Sequence, residues 1–149
     1  MSSYKKILVG TDGSDTSMLA VARAGAVASD SDAELLIVTA YEPESDDVVR
    51  AAENALRDEA YLVVGSAPAE SALRDAADRA RASGARRVRT LAVEGPPVPV
   101  LDRAVAEWGA DLLVVGNVGL NTLAGRLLGS VPQSVARRAG VDVLIVHTS

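Results

Sequence analysis

Val114 to Ser130 reads VVGNVGLNTLAGRLLGS. An apolar run, Leu112 to Val115, stops at Gly116. Gly119 follows after two residues, and Gly129 and Ser130 come after a spacer of nine. A new helical pattern then opens at Ser130. The order is strand, glycine loop, helix, which is one half of a βαβ unit and points to a parallel sheet. Where a parallel strand gives way to a helix, free backbone N–H groups and the helix dipole both favour an anion. Glycines there let the backbone approach a ligand closely. The stretch therefore reads as a phosphate site. Its spacing is G-x2-G-x9-G-S, on Gly116, Gly119, Gly129 and Ser130. It is not a Walker A loop: Gly119 to Gly125 is one residue too long, and Arg126 stands where that loop needs Lys. The dinucleotide pattern G-x-G-x-x-G is absent as well.

Working outward, the same alternation recurs along the chain. Lys5 to Val9 reads as a buried strand ending in the loop Gly10 to Gly13, with Ser14 as N-cap of the next helix. Leu19, Ala22, Ala26 and Val27 recur there at helical spacing, and the helix is expected to end near Ser29. Glu34 to Tyr41 is a second strand, apolar enough to be covered on both faces. Ser66 with Pro68 opens a helix to about Ser83, stopped by Gly84, with Leu73, Ala76, Ala77 and Ala80 facing inward. Arg87 to Val93 alternates like an edge strand. A helix with Pro99 in its first turn runs to about Trp108 and buries Val100, Leu101, Ala104 and Val105. Trp108 itself is expected to cover core. Asp142 to His147 is the last strand, after a helix from Ser130 to about Ala139. Glu42 to Gly65 is the least regular part. A surface insertion is its plainer reading, and a lid over the binding site is the alternative.

Five strands with intervening helices predict an α/β fold with an open parallel sheet. If strands one and four are neighbours, the order is 3-2-1-4-5, and both glycine loops meet where the strand order reverses. The chain of 149 residues has the size of a single domain, and 48% hydrophobic residues are enough for a core. Aromatics make up only 3%, so Val, Leu, Ile and Ala must fill it. There is no Cys, which excludes disulfides and thiol chemistry, and a lone His makes a His-based metal site improbable. A formal net charge of −5 argues against nucleic acid as partner. No apolar stretch is long enough to span a membrane, and the N-terminus has no secretory pattern. A cytoplasmic protein is expected.

The segments ILVGTDGS, LLIVTA, DLLVVGNVG, LLGSVPQSVARRA and VDVLIVH together resemble the universal stress protein family, in its nucleotide-binding subclass. The likeness spans the whole chain and is nearest to small single-domain actinobacterial members, some of which bind cyclic AMP as well as ATP. It implies one domain over residues 1 to 149 with an adenine nucleotide α-hydrolase-like sheet, helices on both faces. It implies a non-catalytic sensor or nucleotide sink in the stress response, with ATP or cyclic AMP as ligand and Mg²⁺ possible beside ATP. It places Gly10, Thr11 and Asp12 at the nucleotide, and it assigns Ala40 a backbone contact to the adenine. Asp12 also fits a plain turn former that bonds its own backbone. Gly116, Gly119, Gly129 and Ser130 would carry the phosphate, with Val131 adding a backbone N–H; Arg126 fits either steering of the phosphate or a plain solvated side chain. Family members often carry Ser or Thr where Asn117 stands, and His or Arg where Val118 stands. Losing that cation suits a ligand of fewer charges, such as a cyclic monophosphate. The family also implies a homodimer through Asp142 to His147. The alternatives are a slow ATPase on the same fold, and an interaction module that needs no nucleotide. The lone His147 suits a surface or interface role better than catalysis.

Overall fold

In a computed structural model of the chain, the structure describes residues 3–41, 66–116 and 140–147. The elements run β1 (Lys6–Gly10), α1 (Asp15–Ser31), β2 (Glu34–Tyr41), α2 (Ser66–Ala82), β3 (Arg87–Glu94), α3 (Pro97–Trp108), β4 (Leu112–Gly116) and β5 (Asp142–Val146). The five strands form one sheet in the order β3-β2-β1-β4-β5. Every pairing is parallel. The order predicted from the sequence is the order found. The segment Glu42 to Gly65 and the expected helix from Ser130 to Ala139 lie outside the described residues.

The sheet is covered on both faces, and side-chain alternation divides its core in two. Ile7, Val9, Leu35, Ile37, Leu112 and Val114 face α1 and α2. Leu8, Leu36, Val38, Leu113 and Val115 face α3, which supplies Val100, Leu101, Ala104 and Val105. All four of those α3 residues were expected inside. So were Leu73, Ala76, Ala77 and Ala80 of α2, and all four are buried. Trp108 is half-buried against the α3-side core, as expected. Its ring centroid lies 5.4 Å from Lys6 Nζ. That ammonium also donates to the Trp108 carbonyl at 3.2 Å. Asp111 ties the first strand down from the same end: its carboxylate accepts from the N–H groups of Lys5 and Lys6 at 2.9 and 3.0 Å.

The inward stripe of α1 differs from expectation. Leu19 is 47% exposed. The buried side is Ser17, Met18, Ala20, Val21, Ala24, Gly25 and Ala28, while Ala22, Ala26 and Val27 are half-buried. The reason is close approach to α2. A Cβ placed on Gly25 would lie 2.7 Å from the Ala80 carbonyl oxygen and 3.0 Å from Ala80 Cα. Small residues therefore define the contact, and the larger Leu19 is turned outward. The helix also runs two residues past Ser29. It stops at Asp32, whose backbone takes the left-handed conformation (φ 52°) and donates to the carbonyls of Ala28 and Ser29.

Candidate functional site

The strand register leaves a notch above the carboxyl end of β1. Gly10, the last residue of β1, pairs with Val38. β2 continues for Thr39, Ala40 and Tyr41, which still pair with Ala92, Val93 and Glu94 of β3. On the other side Val9 pairs with Val114, and β4 runs on to Gly116, which pairs with Val146. Both neighbours overhang β1 at the point where the strand order reverses, the usual crevice of an open parallel sheet.

The loop that closes the floor of the notch is built from hydroxyl groups. The Thr11 N–H donates to the Val38 carbonyl at 3.0 Å, adding one rung to the β1–β2 ladder. The Thr11 carbonyl accepts from Thr39 Oγ1 at 2.7 Å. Thr11 Oγ1 donates to Ser17 Oγ at 2.7 Å and accepts from the Gly13 N–H at 3.1 Å. Ser17 Oγ donates on to the Ser14 carbonyl at 2.9 Å. Thr11, Ser17 and Thr39 are buried, the only polar side chains so placed among the described residues. Each hydroxyl has a protein partner, as burial demands. Gly13 turns the chain with φ +84°, and Ser14 caps α1 by accepting from the Ser17 N–H at 3.2 Å.

The expected site residues take distinct places in this frame. Gly10 is buried under α3: a Cβ there would meet both methyl groups of Leu101 at 3.0 Å. Its glycine character thus serves helix packing. Thr11 spends its N–H and hydroxyl inside the protein. Asp12 is exposed, and its Oδ1 accepts from the Ser14 N–H at 2.9 Å, an Asx turn. The turn-former reading of Asp12 is the one this hydrogen bond shows. Ala40 is half-buried in the overhanging end of β2. Gly116 ends β4 on the opposite side of the notch. Asn117, Val118, Gly119, Arg126, Gly129, Ser130 and Val131 lie outside the described residues. Among the described residues no group of three or more His, Asp or Glu is placed to hold a metal ion. None of the described helices is long and apolar enough to cross a membrane.

Two residues of the site went unread in the sequence, Ser17 and Thr39. The signal for Thr39 is a lone hydroxyl near the end of an otherwise apolar strand. The signal for Ser17 is its position three residues after an N-cap serine.

Known proteins share this frame. Residues 3–147 match the model of the universal stress protein family. Universal stress protein Rv1636 of Mycobacterium tuberculosis is 56% identical over 149 residues, with all of both chains covered. A putative universal stress protein of Staphylococcus aureus is 32% identical, covering 99% of this chain and 87% of its own. Among solved structures, a universal stress protein in complex with cyclic AMP is 51% identical, with a TM-score of 0.75 over 99% of this chain and 100% of its own. The family match, the identities and the shared fold agree, and the chain belongs to the universal stress protein family.

Proposed function

We propose that this chain binds an adenine nucleotide in the notch above β1, with cyclic AMP ahead of ATP. It would act as a non-catalytic sensor or sink for that nucleotide. The observation that carries the reading is the notch itself, formed where β2 and β4 outrun β1. A relative of 51% identity and the same fold is bound to cyclic AMP. The base would lie along the overhanging end of β2 at Ala40. Gly10, Thr11 and Asp12 would form the floor. The phosphate would meet the loop that leaves Gly116, which by sequence carries Asn117, Val118, Gly119, Arg126, Gly129, Ser130 and Val131.

The preference for cyclic AMP follows from Asn117 and Val118. An amide and an apolar side chain give no cation to a triphosphate, whereas a cyclic monophosphate carries a single charge. With ATP, any Mg²⁺ would rest mainly on the phosphates, and the exposed Asp12 of the floor could add a carboxylate. One domain spanning residues 1 to 149 suffices for this role.

Calorimetric titration of the nucleotide-free protein tests the reading, using cyclic AMP, AMP and ATP–Mg²⁺ with Gly116→Ala alongside. The expected result is tightest binding for cyclic AMP and a loss of about tenfold or more in the variant, since a methyl group at the strand end obstructs the phosphate approach. Tighter binding of ATP would reverse the preference. No heat with any nucleotide would overturn the proposal.

A further inference from the structure

The end of β2 holds an arrangement that the nucleotide contacts alone do not explain. Backbone groups alternate sides along a strand. In β2 the even residues face β1: the Glu34 N–H donates to the Lys5 carbonyl, and the Val38 carbonyl accepts from Thr11. Odd residues face β3, as the Tyr41 carbonyl does in accepting from Gly95. The N–H and carbonyl of Ala40 therefore point toward β1, at a level where β1 has already ended. A parallel ladder would take one more step here. Thr11 has donated to Val38, so its carbonyl is the acceptor due to receive the Ala40 N–H. It receives Thr39 Oγ1 instead, at 2.7 Å. Among the described residues nothing accepts from the Ala40 N–H.

We infer that Thr39 is a positioning residue: its hydroxyl takes the Thr11 carbonyl and so keeps the Ala40 backbone N–H free for the adenine base. Adenine presents an acceptor, N1, beside a donor, the N6 amine. One residue's N–H and carbonyl on the same strand edge match that pair. The side chain of Thr39 thus ends the β1–β2 ladder one rung early and leaves its last backbone donor and acceptor to the ligand. Ser17 fixes the other end of the arrangement, holding Thr11 through the hydrogen bond its hydroxyl accepts from Thr11 Oγ1. Removing the Thr39 hydroxyl while keeping its shape would leave a buried carbonyl without a donor. The Ala40 N–H is the group placed to supply one.

This inference rests on the nucleotide reading, and one part of its test does not depend on that reading. Amide hydrogen exchange at Ala40 is measured by NMR in the nucleotide-free protein, as wild type, Thr39→Val and Thr39→Ser. The wild-type amide should exchange as an unprotected group, and Thr39→Val should slow it by about tenfold or more as the extra rung forms. General destabilisation would speed exchange, so slowing is specific. In parallel, Thr39→Val should weaken cyclic AMP by about tenfold, and Thr39→Ser should restore both the fast exchange and the affinity. A protected Ala40 amide in the wild type, or unchanged exchange and affinity in Thr39→Val, would overturn the inference. If the wild type bound no cyclic AMP, the nucleotide reading would fail, and the exchange pattern would still decide whether Thr39 displaces Ala40 from the ladder.

Discussion

A single hydrogen bond far from the notch shows how one residue links the chain's two ends. The Tyr4 hydroxyl donates to Asp142 Oδ2 at 2.7 Å, joining the segment before β1 to the first residue of β5. This bond, then partial burial, then the charges of Asp142 and Asp111 hold the Tyr4 phenol above its ordinary value of 10.0. A raised folded-state value means that folding favours the protonated phenol. The bond's contribution is therefore complete below pH 10 and is lost as pH rises through the folded-state value. An absorbance titration at 295 nm, with Tyr4→Phe to assign the signal, should show Tyr4 ionising above the ordinary tyrosine range. Asp142→Ala should bring that ionisation back down. It should also lower the thermal midpoint at neutral pH, by an amount that shrinks once the phenol has ionised. A Tyr4 signal unmoved by Asp142→Ala would show that the contact does not persist in solution.

At the scale of elements, helix phase is where sequence reading and structure part. Met18 is 7% exposed and Leu19 47%. Met18→Ala should destabilise by ~2–5 kcal/mol in urea unfolding, and Leu19→Ala should stay within ~0.5 kcal/mol. Equal losses would put the helix back in the phase expected from its leucine. The helices α2 and α3 were legible because Leu73, Val100, Leu101 and Val105 are large and sit on the buried side. In α1 the buried side includes Ala24, Gly25 and Ala28, and small residues carry little hydrophobic signal. What places them inside is the backbone of Ala80 on another helix, a long-range fact that no local periodicity records. The strands were legible for the opposite reason. Buried on both faces, β1, β2 and β4 show as unbroken apolar runs. The candidate site was half legible. Glycines and turn formers mark the loops, and Asp12 does make its turn. The overhang of β2 past β1, and with it the role of Thr39, depends on register, which the residues of one strand do not encode alone.

At the scale of the whole molecule, the sheet of the described residues has two edges, and they differ. β3 exposes Arg87, Arg89 and Glu94 beside the 42% exposed Leu91, and charges of this kind discourage pairing with another strand. β5 is short and carries one charge, Asp142, beside the 47% exposed Ile145 and the half-buried Val143 and Leu144. An apolar edge left open invites a partner, and a second copy brings a matching edge about a two-fold axis. Such pairing uses the same edge on both copies, so it closes at two and does not extend into a filament. The proposed homodimer through Asp142 to His147 therefore has a direct test by light scattering after size exclusion. The wild type should show about twice the 15.4 kDa chain mass, and Ile145→Lys should shift it toward the single-chain value. The substitution lies at an exposed position, so the monomer should keep its fold and its circular dichroism. Cyclic AMP titration of that monomer then separates assembly from binding. The notch is bounded by β1, β2 and β4 of one chain, so affinity should survive dissociation. A variant that stays dimeric would move the interface away from β5, and a monomer that binds no nucleotide would mean that the partner copy completes the site.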